Sequence, residues 1–417
     1  MIGKLSSETI AAARTSGILT NTPFKNSYIA FLARIFVNCY KEMGINIIMI
    51  NPFYGKLARL AVNYSIEVKK GDRVVVLGPA LAEELFRAVY IEIIKAGGHA
   101  LLLPYIQGQK EFLFKYGSEA QLAYVDEVRK QIHKEFDCMI AISAEYNTKD
   151  LSLVDPELLS KRFGSPQIKE LWDLWYDRAA KKEARWIIIP FPCNAFAQDA
   201  NMDLFSYSNF IEKALFLDKE NHIQEWQKIE KDQEKYVNYL NEVENIQILG
   251  EDTDLTMSIK GRTWENDCGR VNLPDGEVAT SPVETSVNGH IRFTYPAIHL
   301  GNEVENIYLE FKDGRVVNST ADKGEKFLQE ILKIENADRL GEFAIGTNYG
   351  ITEFTKNILF DEKMGGTIHI ALGDGFRELG SKNESAIHWD ILKDMKKPGS
   401  KIIADDKVIY EEGNWKI

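Results

Sequence analysis

The residues of this chain best suited to chemistry fall late, in the stretches GEFAIGTN, GTIHIALGDGF and NESAIHWD between Gly341 and Asp390. They supply Glu342, His369, His388 and Asp390, and a further carboxylate, Glu277, stands upstream in NLPDGEVATSP. Two imidazoles and three carboxylates make a donor set able to hold two divalent cations. Spacing strengthens one pair: if IHWDI is a strand, His388 and Asp390 share a face and Trp389 turns the other way. Singly, each residue has a plain structural explanation. Glu277 follows Gly276 in a turn, where an exposed carboxylate needs no role. Glu342 could be a charge at a helix N-terminus or a salt-bridge partner, and His369 a core histidine bonded to backbone. Together, His369, His388 and Asp390 resist that explanation, because apolar strands rarely carry ionisable residues without partners. The other histidines, His99, His133, His222, His290 and His299, lack such a setting and are read as structural or surface residues. There is no GxSxG elbow and no cysteine with an activating neighbour, so nucleophilic catalysis is not expected.

The elements that must position these groups follow from the pattern. A chain of 417 residues has material for two or three domains. Residues 1–50 read as a helical N-terminal extension without chemistry. Residues 51–245 alternate strand and helix: RVVVLGP, HALLLPY, DCMIAISA and RWIIIPFP are apolar strands. KLARLAVNYSIEV, ALAEELFRAVYIEIIKAG, SEAQLAYVDEVRKQIHKEF, DPELLSKRF and LWDLWYDRAAKKEA are helices between them. Buried strands so spaced imply a mostly parallel, helix-covered sheet, hence an α/β domain. VLGPALAEE lacks the GxGxxG glycines and reads as an ordinary strand-to-helix turn. NMDLFSYSNFIEKALF and the charged amphipathic helix HIQEWQKIEKDQEKYVNYLNEV close this region, with Trp226, Ile229, Tyr236 and Leu240 facing the core or a neighbouring subunit. From about Ile246 to 417 the texture becomes short strands with glycine turns, interrupted by one helix, KGEKFLQEILKIENA. FKDGRV and SVNGHI carry Asp-Gly and Asn-Gly hairpin signals. This β-rich α+β domain holds every candidate ligand.

Composition limits the partners. Hydrophobic content of 45% and charged content of 27% are ordinary for a globular protein, and a net charge of −12 argues against nucleic acid. Cys39, Cys138, Cys193 and Cys268 form no CxxC pair, which fits a reducing compartment and excludes a thiolate metal site. No signal-peptide pattern opens the chain, so a cytoplasmic location is expected. The apolar run Tyr28–Ile50 is broken by Arg34, Lys41 and Glu42 and is too charged to span a membrane.

Long motifs then carry a resemblance. LAVNYSIEVKKGDRVVV, GRTWENDCGRVNLPDGEVATSPVE, DRLGEFAIGTN, LFDEKMGGTIHIALG and NESAIHWD stand in an order that resembles the aminopeptidase T / aminopeptidase S (PepS-like) family of thermophilic-type dinuclear metallo-aminopeptidases. The likeness spans roughly residues 52 to 417. It implies an α/β N-terminal domain, a catalytic C-terminal domain, a homodimer, and two divalent ions of the zinc, cobalt or magnesium class. It also implies Glu277, Glu342, His369, His388 and Asp390 as the ligands, with Glu342 or Glu277 also serving as base, and short peptides as substrates.

One departure stands out. Seven residues after the motif histidine the family commonly places a tyrosine; here the position is Phe376. A phenol can donate to a developing oxyanion, whereas a phenyl ring cannot. Arg377 is the nearest polar substitute. The competing readings are a diverged enzyme on this fold, such as a mononuclear iron dioxygenase using two histidines and one aspartate, and a non-catalytic binding protein. Intact Glu277 and Glu342 favour the dinuclear hydrolase.

Overall fold

The computed structural model describes residues 50–417; the expectations for residues 1–49 lie outside the described residues. Asn51–Ile417 form one compact unit. Its first part is the expected parallel sheet, built from β1 (Arg73–Pro79), β2 (His99–Tyr105), β3 (Cys138–Ser143) and β4 (Arg185–Pro190) in the order β2-β1-β3-β4. Valine and isoleucine fill its centre because β-branched side chains pack well on a pleat covered by helices. Asn51 starts the first helix, Pro52–Leu60, by accepting from the Phe53 amide. The segment SEAQLAYVDEVRKQIHKEF, expected as one helix, is two, Glu119–Ala123 and Glu127–Glu135. Asp126 breaks it by accepting from the Arg129 amide at 2.9 Å, which caps a new N-terminus.

The remaining strands are β5 (Asn245–Gly250), β6 (Thr253–Ser258), β7 (Glu265–Asp267), β8 (Glu277–Thr280), β9 (Asn288–Arg292), β10 (Ala297–His299), β11 (Asn302–Val304), β12 (Tyr308–Lys312), β13 (Arg315–Thr320), β14 (Leu340–Gly346), β15 (Thr367–Gly373), β16 (His388–Asp394), β17 (Lys401–Ala404), β18 (Lys407–Glu411) and β19 (Asn414–Trp415). They form an eight-stranded sheet, β13-β12-β9-β6-β5-β17-β18-β19, a five-stranded sheet, β16-β15-β14-β8-β7, and the pair β10-β11. The Asp313–Gly314 hairpin joins β12 to β13 as expected, both residues being left-handed. Asn288–Gly289 does not make a turn. It opens β9, and Gly289 (φ 107°) lies so close to β6 that a Cβ would sit 2.1 Å from the Asp254 carbonyl oxygen. The expected helix around residue 325 shortens to Glu325–Ile331, and a second short helix, Ile358–Asp361, precedes β15.

The two larger sheets share one apolar core, filled by Ile248, Leu255 and Ile291 from one and by Phe343, Ile345, Ile368, Ile370, Trp389 and Ile391 from the other. Period-two alternation therefore turns Glu277, Glu342, His369, His388 and Asp390 to the opposite face of the five-stranded sheet. A register shift at Gly341 sets Glu342 opposite Ala371, itself opposite Asp390. The parallel sheet is tied in close by. The Ile188 amide of β4 donates to Val271, and the Leu273 amide donates back to Ile188, each at 2.9 Å, just ahead of Glu277.

Candidate metal centre

The five expected ligands meet on that face. Glu342 is the hub: Oε1 lies 3.5 Å from His369 Nε2 and Oε2 lies 3.0 Å from His388 Nε2. Asp390 Oδ1 lies 3.3 Å from His388 Nε2 and 3.9 Å from His369 Nε2. Glu277 Oε2 approaches His369 Nδ1 at 3.7 Å. The explanation of Glu277 as an exposed turn carboxylate fails, since it opens β8 and is only 3% exposed. Glu342 lies in β14, not at a helix start.

Both imidazoles are held the same way. His369 Nδ1 lies 3.2 Å from the Glu362 carbonyl, and His388 Nδ1 lies 2.8 Å from that of Asp374. A carbonyl only accepts, so each Nδ1 carries the proton and each Nε2 lone pair points at Glu342 and Asp390. That is the second-shell bond that orients a metal-binding histidine. Ligand atoms of Glu277, Glu342 and His369, and those of Glu342, His388 and Asp390, lie within 4.8 Å of one another. Glu277 Oε2 and Asp390 Oδ1 are buried with no hydrogen-bond partner, a cost that a cation would remove. The donor set, tautomers and orphaned oxygens all fit divalent metal.

The local sequence explains the placement. Gly276 has φ 117° and packs against Asn348, where a Cβ would meet the Asn348 Cβ at 2.9 Å, so only glycine admits the chain into β8 at this angle. Gln233, from the helix His222–Leu240, donates through Nε2 to the Glu277 carbonyl at 2.8 Å, and its Oε1 accepts from Thr347 at 2.7 Å. Trp226 and Leu240 of that helix are fully buried, as its pattern implied, and Tyr236 stacks on Trp415.

Two groups escaped the sequence reading. Glu362 brings a carboxylate oxygen within 4.8 Å of ligand atoms of His369 and Asp390. Lys363, 3% exposed, pairs with Glu277, with Glu362 at 2.9 Å and with Asp275 at 3.7 Å. The signal was present: Glu362-Lys363 is an ionisable pair inside LFDEKMGGTIHIAL, an otherwise apolar run. Phe376 sits beside the cluster, its ring 5.2 Å from that of His388. Arg377 is exposed and pairs with Glu384 at 3.0 Å.

Electrostatics divide the acids. Burial pushes the Glu277 carboxyl up to about 8 against the pull of Lys363 and His369. Burial also opposes ionisation of Glu342, but hydrogen bonds from both imidazoles outweigh it and hold this carboxyl far below its usual range. Burial likewise disfavours charge on His369, yet Glu277 and Glu342 raise it to about 10. Lys363 stays charged despite burial because Glu277, Glu362 and Asp275 surround it. Lys363→Met therefore leaves buried carboxylates uncompensated and is expected to cost the metal-free protein about 3 kcal/mol. Chemical denaturation of the metal-free variant checks this, and a loss under 1 kcal/mol would contradict it.

An α/β layer beside a strand-rich domain bearing this donor set defines a metal-dependent hydrolase. Residues 53–415 match the thermophilic metalloprotease (M29) family, and the chain belongs to it. Aminopeptidase 2 of Geobacillus stearothermophilus is 27% identical over 414 residues, covering 86% of this chain and 97% of the relative. Aminopeptidase T of Thermus thermophilus is 27% identical over 385 residues, covering 80% and 90%. The solved structure of wild-type AmpT from Thermus thermophilus superposes with a TM-score of 0.76 at 23% identity, covering 88% of this chain and 99% of that one. That last likeness is one of fold, and it agrees with the α/β and β-rich parts described above. The mononuclear dioxygenase alternative is not favoured.

Proposed function

We propose that Glu277, Glu342, His369, His388 and Asp390 hold two divalent ions, of the zinc, cobalt or magnesium class, and that the enzyme releases amino-terminal residues from short peptides. The chain is a metal-dependent aminopeptidase; the ion count, the ligand roles and the substrate length are our reading. One observation carries it: Glu342 offers a separate oxygen to each imidazole, as a carboxylate shared by two ions would. When bound, such ions supply Lewis acidity toward the scissile carbonyl and acidify water.

The chain's own residues do the rest. Glu342 and Glu277 were the sequence-based choices for the base. Glu342 has both oxygens engaged by imidazoles and is too weak a base, and Glu277 is tied to Lys363. Glu362 is the better proton carrier, since burial raises its carboxyl and it stands beside His369 and Asp390 without being one of the five. Its carboxylate would take a proton from water and return it to the leaving amine. Asp390 and Glu362 also give a free α-amino group an acidic end to dock against. Elemental analysis after metal loading should give two equivalents per chain. Glu362→Gln should keep both and lose about 10²-fold in turnover. One equivalent in the wild type, or full activity in Glu362→Gln, would overturn these assignments.

The domain limits 51–245 and 246–417, with 1–50 as an extension, are part of the proposal. So is a homodimer, supported by the exposed aromatic face of Trp172 and Tyr176. No helix among the described residues is long and apolar enough to cross a membrane. A cytoplasmic location is proposed, in keeping with the buried free thiols of Cys138, Cys193 and Cys268.

A further inference from the structure

A cavity of about 510 Å³ opens on the cluster between the α/β layer and the five-stranded sheet, with Asp390 and Leu392 in one wall. These two residues are neighbours on the same face of β16. Beside them runs the segment entering β10, whose Thr294 amide donates to the Leu392 carbonyl at 3.3 Å and which presents Ala297 and Ile298 to the cavity. Phe354 completes this wall, stacked on Tyr295 at 5.1 Å. The segment carrying Phe354 is fixed, because the Thr355 amide and hydroxyl donate to Asp361 at 2.7 and 2.8 Å. Phe196 lies on the opposite, α/β side.

We infer that this cavity is the selectivity pocket for the side chain of the substrate's amino-terminal residue, and that it selects apolar side chains. The inference rests on the aminopeptidase reading. In an aminopeptidase the α-amino group and the scissile carbonyl of that residue both face the reacting centre. Its side chain branches from the carbon between them and must leave along the nearest wall. Here that wall is Leu392, Ala297, Ile298 and Phe354. The cations of the cavity are largely spoken for: Lys356 pairs with Glu303 at 2.8 Å and Lys110 with Glu145 at 3.1 Å. An acidic side chain therefore finds no counter-charge beside Asp390. A basic one would have to reach Asp199 or Asp361, and Asp361 already accepts from Thr355.

Turnover of leucyl, phenylalanyl, glutamyl and lysyl amides by the metal-loaded enzyme tests this. Leucyl should exceed glutamyl and lysyl amide by 10- to 200-fold in kcat/KM. Leu392→Ala should shift the leucyl-to-phenylalanyl ratio at least 10-fold toward phenylalanyl, with metal content unchanged. Ile298→Asp, at a half-buried position that tolerates change, should shift selectivity toward lysyl amide. Free amino acids give a readout apart from turnover: L-leucine, and not L-lysine, should raise the melting temperature of the metal-loaded wild type, and Ile298→Asp should erase that difference. A wild type that prefers lysyl amide, or ratios unmoved in both variants with metal retained, would overturn the assignment. If no amide is cleaved with metal bound, the aminopeptidase reading fails. The pocket then survives only if L-leucine still discriminates in the melting experiment, and falls if it does not.

Discussion

Glu342→Gln is expected to lose about 10³-fold or more in turnover and to retain less than one tightly bound equivalent of metal. The change is nearly isosteric, so the packing of β14 is preserved. Chemically it is severe. The carboxylate faces His369 with one oxygen and His388 with the other, while an amide keeps only one oxygen and turns a donor toward the second site. Losing the ions removes several kcal/mol of transition-state stabilisation, and each 1.36 kcal/mol is tenfold in rate. The same geometry sets the pH dependence. His369 is raised from 6.5 to about 10 by the surrounding carboxylates. A raised folded value means the charged imidazole stabilises the metal-free protein fully below about 6.5, and that this stability is lost as pH climbs through about 10. Metal competes with that proton, so affinity should rise over the same climb, as it should when the Glu277 carboxyl ionises near 8. Calorimetric titration of metal into stripped protein in buffers of different ionisation enthalpy reads both affinity and proton release. Metal binding that is independent of pH, or a Glu342→Gln variant with full metal and activity, would refute the assignment.

How much of this was legible beforehand depends on the range of the interaction. The strands of the parallel sheet were readable because a buried strand is a local apolar run, and RVVVLGP and CMIAIS are bounded by turn residues. The same-face relation of His388 and Asp390 follows from period two within one strand. The break at Tyr124–Asp126 was missed because helical periodicity continues across it and only the Asp126 cap ends it. Asn288–Gly289 misled because the same dipeptide serves a hairpin turn and a close backbone approach, and only the nearness of Asp254 decides between them. Glu362 and Lys363 were missed for a related reason. Their meaning lies in Asp275 and Glu277, which are more than eighty residues away along the chain. Sequence pattern names the residues on one face of one strand, but the partners of a buried charge come from elsewhere.

Phe376→Tyr is expected to raise turnover on leucyl amide by 10²- to 10³-fold with little change in KM. The ring lies where a donor would act, packed on the His388 imidazole at 5.2 Å, with its own amide donating to Ser281 at 3.2 Å. An ether-length extension from that ring is a small addition beside a half-buried position, so the fold should absorb it. A hydroxyl there would donate to charge developing on the carbonyl oxygen, and one such donor typically changes turnover by 10²–10³. Because that charge exists only in the transition state, the gain should appear in kcat and leave KM alone. Arg377, the nearest substitute by sequence, does not fill the role: its guanidinium is exposed and paired with Glu384. The wild type should accordingly be a slow aminopeptidase whose metals carry most of the rate. Steady-state kinetics of both forms at equal metal content decide the matter. A wild type that already cleaves leucyl amide rapidly, and that Phe376→Tyr leaves unchanged or slows, would mean that another group holds the oxyanion.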